Sequence, residues 1–138
     1  MNKKIIGSVI LCIILVSCVI IARNMRKPKG LLADNDTASI SNVVLHCSYA
    51  YITVTEQEDI KRIVDLLQSI KAEESRPSGK DGGMPLEIHF QNGEELGFGF
   101  LSEEITADGV CYRPDRDYCN DISNFYEEFS KKYTEEPA

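Results

Sequence analysis

Histidine and cysteine are the residue types in this chain that could ligate a metal ion or act as nucleophiles. The histidines are His46 and His89, and the cysteines beyond residue 30 are Cys47, Cys111 and Cys119. Zinc ligands usually come in close pairs such as Cys-x₂-Cys, and none occurs here. No motif supports a Cys–His nucleophile either. The sequence therefore predicts no metal, no cofactor and no catalytic residue, and it places both histidines on the polar face or the edge of strands.

A disulfide between Cys111 and Cys119 is one interpretation of their eight-residue separation, provided that the domain is exported. The odd number of cysteines beyond residue 30 excludes a fully paired framework within one chain. The alternative is that these are small buried free thiols, because spacing alone does not establish disulfide geometry. Both interpretations stay open at the level of the sequence.

An acidic loop, Asp115 to Asp121, begins with the Asp-x-Asp pattern of a calcium-binding loop. Its sixth position is Asn120 rather than glycine, and the closing glutamate is absent. The structural interpretation is that Asp117, Asn120 and Asp121 cap the helix that follows. Loosely bound calcium is the functional alternative for an exported acidic loop, and the pattern does not predict a built metal site.

Four tyrosines form the candidate partner surface. Tyrosine suits contacts with proteins or sugars because its ring is apolar and its hydroxyl forms hydrogen bonds. If the first predicted hairpin joins the later strands, the four rings come near one another; the alternative is that they complete a small core without tryptophan. The residues are Tyr49, Tyr51, Tyr112 and Tyr118.

The elements that must position these residues begin with an uncharged apolar stretch, Ile5 to Ala22. Its eighteen residues make a helix of about 27 Å, enough to cross a bilayer core. One interpretation is an uncleaved signal anchor. The second rests on Leu15–Cys18, which resembles a bacterial lipobox in which Cys18 is lipidated, although the apolar run continues past it. In the third the domain faces the cytoplasm, because flanking charges do not fix the orientation.

Charge divides the chain sharply. Six of the 15 basic residues and none of the 22 acidic residues lie in the first thirty positions. The rest of the chain thus has nine basic residues against all 22 acidic ones, a formal charge of −13. A field of that sign argues against nucleic-acid binding. The basic cluster Arg23 to Lys29 can instead rest on lipid headgroups.

Periodicity predicts the elements of the acidic part. Residues 1–30 are the signal anchor or lipoprotein signal with its basic flank, 31–39 a linker, and 40–134 a small acidic domain. The strongest helix is predicted at Thr55–Ile70 from an apolar stripe and a capping box at Thr55. Asn92-Gly93 predicts a type I′ hairpin, and Asp108-Gly109 a second one. The fold class is α+β, a largely antiparallel sheet in the order ββ-α-ββββ-α with two helices on one face, after one N-terminal transmembrane or signal helix.

The overall plan resembles small, poorly characterised envelope proteins of Gram-positive bacteria. The resemblance rests on the anchor, the helix entry at Ile52–Ile60, and the meander that ends in Val110-Cys111-Tyr112. These motifs are structural, so the resemblance implies a membrane-anchored or lipoprotein-like domain and transfers no catalytic residue.

The function predicted from these features is binding rather than catalysis. We expect a membrane-tethered domain of unknown specificity on the extracytoplasmic side, with the membrane and a protein as partners and no nucleic acid. The alternative is a membrane-held immunity or inhibitor protein that neutralises a basic toxin or hydrolase. An enzyme is not predicted, because no group of residues meets the requirements of an active site.

Overall fold

The computed structural model describes residues 31–32, 37–80 and 82–138. The apolar stretch Ile5–Ala22, the lipobox residue Cys18 and the basic flank lie outside these described residues, and what was predicted of them stays a prediction. In the described part of the chain, neither α-helix has the length and apolar character needed to cross a membrane. The predicted linker contributes Leu32, which is buried in the core.

Eight strands make one sheet. They are β1 (Ile40–Cys47), β2 (Ala50–Val54), β3 (Ala72–Glu74), β4 (Met84–Phe90), β5 (Glu95–Phe100), β6 (Ile105–Ala107), β7 (Val110–Pro114) and β8 (Glu135–Pro137). The spatial order is β3-β7-β6-β5-β4-β1-β2-β8, and all neighbouring pairs are antiparallel. The predicted α+β class with a largely antiparallel sheet is therefore confirmed.

Two α-helices accompany the sheet, α1 (Gln57–Ser69) and α2 (Cys119–Phe129), after a short 3₁₀ turn at Thr37–Ser39. The predicted stripe of α1 is confirmed, since Ile60, Ile63, Val64 and Leu67 are all fully buried. The predicted capping box is wrong: Glu56 is the N-cap residue and no side chain caps the helix. The helix begins two residues later than predicted, so Thr55 lies outside its first turn.

The core lies between the helices and alternate residues of the strands. Val43 and Leu45 of β1 stand opposite Ile88 and Leu86 of β4, and all four side chains are buried. They belong to one cluster with the apolar stripes of both helices. Successive strand residues point to opposite sides of a sheet, so the residues between these four point away from the core.

A nearly buried carboxylate, Asp59, joins α1 to the segment after α2. Its Oδ2 accepts hydrogen bonds from Lys132 Nζ and from the Tyr133 hydroxyl, both at 2.7 Å. Arg62 adds a two-pronged ion pair to Glu128, at 2.6 and 2.9 Å. Burial opposes ionisation of Asp59, but the bonds from Lys132 and Tyr133 outweigh it, and the pKa of Asp59 lies below its ordinary value. The ionised carboxylate is thus part of the folded structure.

Two short strands were not predicted. β3 lies between α1 and β4, and β8 lies after α2, beyond the predicted end of the domain at residue 134; the predicted order ββ-α-ββββ-α contains neither strand. Each pairs with an established strand, β3 with β7 and β8 with β2, and so forms an edge of the sheet. Their sequences are short and acidic and show no apolar alternation. Backbone pairing with a distant strand therefore determines them, and local pattern does not.

Both predicted hairpin turns contain a glycine with positive φ, but only one of them is a type I′ turn. At Asp108-Gly109 both residues have positive φ, 49° and 81°, as a type I′ turn requires. At Asn92-Gly93 the φ of the glycine is 88° whereas that of Asn92 is not positive. Phe90 N donates to Glu94 O, which leaves a three-residue loop closed by a left-handed glycine. The hairpin is confirmed and its predicted type I′ geometry is wrong.

Candidate binding face

The side of the sheet that points away from the core forms a polar surface, which we call the open face. The α-helices bury their apolar stripes in the core, so neither of them covers this side within the described residues. Strand register sets its residues in rows across β2, β1, β4 and β5. The open face consists of Asn42, Val44, His46, Tyr51, Thr53, Glu87, His89, Glu95 and Gly97.

A carboxylate stands between two imidazoles near the middle of the open face. Glu87 Oε1 lies 3.3 Å from His46 Nε2, and Glu87 Oε2 lies 3.4 Å from His89 Nε2. Glu95 Oε1 lies 3.4 Å from the other ring nitrogen of His89. The His46 contact does not have hydrogen-bond geometry, and His46 Nε2 is a buried nitrogen with no hydrogen-bond partner in the described structure. The group offers carboxylate oxygens and ring nitrogens to a cationic or hydrogen-bonding ligand.

Tyr51 extends this group towards the edge of the sheet. Its ring centroid lies 5.7 Å from that of His46, and its hydroxyl donates a 2.7 Å hydrogen bond to Glu136 of β8. That bond, together with some burial and the nearby charge of Glu136, raises the pKa of Tyr51. Tyr49, in the turn between β1 and β2, is 88 % exposed. An aromatic and acidic edge therefore adjoins the histidines.

A strip without side-chain atoms lies at Gly97, beside Glu87 on the open face. Gly97 is directly opposite Glu87 in the β4–β5 register, and a Cβ added to Gly97 would meet no atom within 4 Å. Two residues on, a Cβ on Gly99 would lie 2.7 Å from Thr106 Oγ1. A threonine side chain therefore lies over Gly99, whereas the space above Gly97 is open and can receive part of a partner.

The four predicted surface tyrosines do not form one patch. Tyr49 and Tyr51 lie at the β1–β2 hairpin, and Tyr112 is on β7, five strand positions from β2. At a strand spacing of about 4.8 Å this separation is roughly 24 Å. Tyr112 packs against the core and Tyr118 is only 4 % exposed. Two of the four thus belong to the core, which was the alternative interpretation of the set.

The three cysteines of the described part are free thiols in different settings: Cys47 is exposed, Cys111 is buried and Cys119 is half-buried. Cys119 packs against the core. Burial and the neighbouring Asp117 carboxylate raise the pKa of the Cys119 thiol to about 11, which keeps it protonated near neutral pH. The disulfide between Cys111 and Cys119 is not formed in the structure, and it stays a prediction about the exported protein.

The acidic loop before α2 uses its carboxylates within the protein. Asp117 Oδ1 accepts from Cys119 N at 2.8 Å, and Asp115 Oδ1 accepts from the Tyr118 hydroxyl at 2.7 Å. Asp121 pairs with Arg116 at 2.7 Å. The predicted capping by Asp117, Asn120 and Asp121 is wrong: Tyr118 is the N-cap residue of α2 and no side chain caps the helix, although Asp117 accepts from its first residue. Among the described residues, no group of three or more His, Cys, Asp and Glu side chains is arranged to hold a metal ion.

Comparison of the chain with protein-family models, with curated proteins and with solved structures finds no match. Interpretation of the open face therefore depends on its own geometry. Sequence reasoning singled out the histidines and Tyr51 but missed Glu87 and Glu136. For Glu87 a signal existed, because Glu87 and His89 are two residues apart on one strand and so share its polar face. Nothing in the sequence indicated that Glu136 would reach Tyr51, 85 positions away.

Proposed function

We propose that this chain is a non-enzymatic binding protein, tethered to the outer side of a membrane by its N-terminal segment, that engages a protein partner through the open face. The observation that carries the proposal is the unoccupied strip at Gly97 beside the His46–Glu87–His89 group. A glycine inside a strand often marks a place where a ligand or another backbone approaches closely.

Charge indicates the kind of partner. Glu87, Glu95 and Glu136 stand on or beside the open face, in a part of the chain whose formal charge is −13. Complementary charge speeds association and selects partners, so a basic protein surface fits this face. The exposed Tyr49 and the half-buried Tyr51 offer the aromatic contacts that protein interfaces favour.

The experiment compares capture of partners by two tagged full-length variants in solubilised membranes. Gly97→Trp fills the strip without backbone strain, because its φ lies outside the left-handed region and its surroundings are open. Ser123→Trp adds the same ring to the exposed side of α2 and serves as the matched control. We expect the first variant to lose, at least tenfold, a partner that wild type and the control retain. Equal capture by all three would exclude the open face as the binding surface.

The second candidate is a membrane-held immunity or inhibitor protein. The acidic open face favours it, because inhibitors of basic toxins and hydrolases often present carboxylates to the partner's cationic site. Under this hypothesis the captured partner is a toxin or hydrolase whose activity falls when the chain binds. Charge-based binding also weakens as salt rises. If the partner keeps full activity in the complex, inhibition is excluded and the first proposal, binding without inhibition, is retained.

A further inference from the structure

A cleft of about 510 Å³ lies at the other end of the sheet, between the loop after β3, the β5–β6 turn and the end of β7. The part of the chain beyond residue 30 has four arginines, and three of them line this cleft. Serine hydroxyl groups line it as well. The six residues are Arg76, Arg113, Arg116, Ser75, Ser78 and Ser102, and we call this site the arginine cleft.

The acidic residues of the arginine cleft are already engaged. Glu104 is buried and accepts from Ser78 N at 2.7 Å, and Glu103 pairs with Lys80 at 3.2 Å. Asp117 accepts from the backbone at the start of α2. Each carboxylate therefore has a donor from the protein, and none depends on the arginines for compensation.

Two of the arginines have no such partner. Among the described residues, the side chains of Arg76 and Arg113 form no hydrogen bond, and no carboxylate lies within 4.0 Å of either guanidinium group; both residues are exposed. Glu73 is directly opposite Arg113 in the β3–β7 register, yet no ion pair forms between them. Both guanidinium groups can therefore donate to a ligand in the cleft.

The third arginine is fixed in place. Arg116 Nη1 donates to Asp121 at 2.7 Å and to the Asp117 carbonyl at 3.1 Å. Its guanidinium carbon lies 4.0 Å from the Tyr118 ring centroid, which is a stacked arrangement. Arg116 therefore forms a rigid wall of the cleft, whereas the guanidinium groups of Arg76 and Arg113 have no partner among the described residues.

We propose that the arginine cleft binds a phosphoryl group. A guanidinium fork donates two parallel hydrogen bonds to phosphate or carboxylate oxygens, and serine hydroxyls add further donors. Two arginine forks and three serines offer donors for three oxygens, which a phosphoryl group has and a carboxylate does not. The volume of the cleft fits a small phosphate ester or a lipid headgroup.

The test titrates inorganic phosphate into the full-length chain in phosphate-free maltoside micelles, and follows the arginine side-chain Nε–Hε signals by NMR. We expect saturable shifts at Arg76, Arg113 and Arg116, and at least tenfold weaker binding in the double variant Arg76→Gln/Arg113→Gln, where the remaining Arg116 signal follows binding. Lys61→Gln/Lys131→Gln removes the same charge elsewhere and is expected to bind as wild type does. Absence of saturable shifts, or equal weakening in both double variants, would overturn the proposal.

A second arm identifies the source of the phosphoryl group. Phosphatidylglycerol is added to the micelles before the phosphate titration. If the lipid produces the same arginine shifts and competes with phosphate, the ligand is a lipid headgroup. If phosphate binding is unchanged, the ligand is a soluble phosphate ester. If the lipid still shifts the Arg116 signal in the Arg76→Gln/Arg113→Gln variant as strongly as in wild type, the lipid does not depend on the two arginines, and the cleft is not the lipid site.

Discussion

At the scale of single residues, space and backbone geometry decide which glycines are replaceable. Gly97 has open space and an ordinary backbone, so a side chain there alters the open face and leaves the fold intact. Gly83 combines a φ of 120° with a built Cβ that would lie 2.9 Å from the Phe100 carbonyl oxygen. A backbone atom of a neighbouring strand cannot move away as the end of a side chain can, so this glycine is fixed by the structure.

We predict that Gly83→Ala destabilises the protein by roughly 2–4 kcal/mol, because left-handed strain adds to a backbone clash. Gly82→Ala is the matched control, since Gly82 also has positive φ, at 100°, but meets no atom within 4 Å. Backbone strain alone predicts that the free energy of unfolding of the control falls by about 1 kcal/mol. Urea unfolding of both variants measures the difference, and equal stabilities would mean that the Phe100 contact has no cost.

At the scale of elements, the link between α1 and the segment after α2 depends on one carboxylate. Asp59 receives hydrogen bonds from Lys132 and Tyr133, two residues that follow α2. Sequence periodicity predicted the apolar stripe of α1, because burial against the sheet repeats every three to four residues. It could not predict this link, because the partners are more than 70 positions apart and lie outside any repeating pattern.

We predict that Asp59→Asn lowers the free energy of unfolding by about 2–3 kcal/mol at neutral pH, because a nearly buried charged hydrogen-bond group is lost. The folded-state pKa of Asp59 lies below its unfolded value of about 4. Its stabilising contribution is therefore fully present above about pH 4 and is lost as pH falls through the folded pKa.

Unfolding curves measured at several pH values test this account of Asp59. The difference in the free energy of unfolding between wild type and Asp59→Asn is expected to narrow steadily below pH 4. Asp65→Asn is a suitable control, because Asp65 is exposed and pairs only with Lys61 along the same helix. A gap that stays constant through the acid range would contradict the role of the ionised Asp59 carboxylate.

At the scale of the whole molecule, the two proposed sites occupy different parts of one sheet. The open face carries acidic and aromatic residues on β1, β2, β4 and β5, and the arginine cleft lies by β7 and the β5–β6 turn. A basic protein and a phosphoryl ligand would therefore bind without competing for the same residues. Both proposals need the domain to face the compartment that holds its partners. The exposed thiol of Cys47 allows the side of the membrane on which the domain lies to be tested.

We predict that a membrane-impermeant maleimide labels Cys47 in intact single-membrane bacteria that carry the full-length chain. Cys47 is exposed, whereas Cys111 is buried and the raised pKa of Cys119 slows its reaction. Cys47→Ser is expected to remove most of the label, which excludes labelling of the other thiols. Labelling that appears only after the membrane is permeabilised would place the domain in the cytoplasm and contradict the proposed location.

The sequence by itself determined the local features of this protein. The apolar stripe of α1 and the Asp108-Gly109 turn are set by residues close in the chain, so their patterns predicted these elements correctly. The net negative charge of the domain likewise follows from its composition alone. The apolar stretch Ile5–Ala22 and its proposed role as a tether also come from sequence alone.

Only the tertiary structure decided which distant residues meet. It set Glu87 of β4 between His46 of β1 and His89, separated the four tyrosines, and gave the acidic segments at β3 and β8 strand partners. It also gathered three arginines from two segments around one cleft. The physical reason is that strand order and register bring together residues far apart in the chain, and no local period encodes that choice.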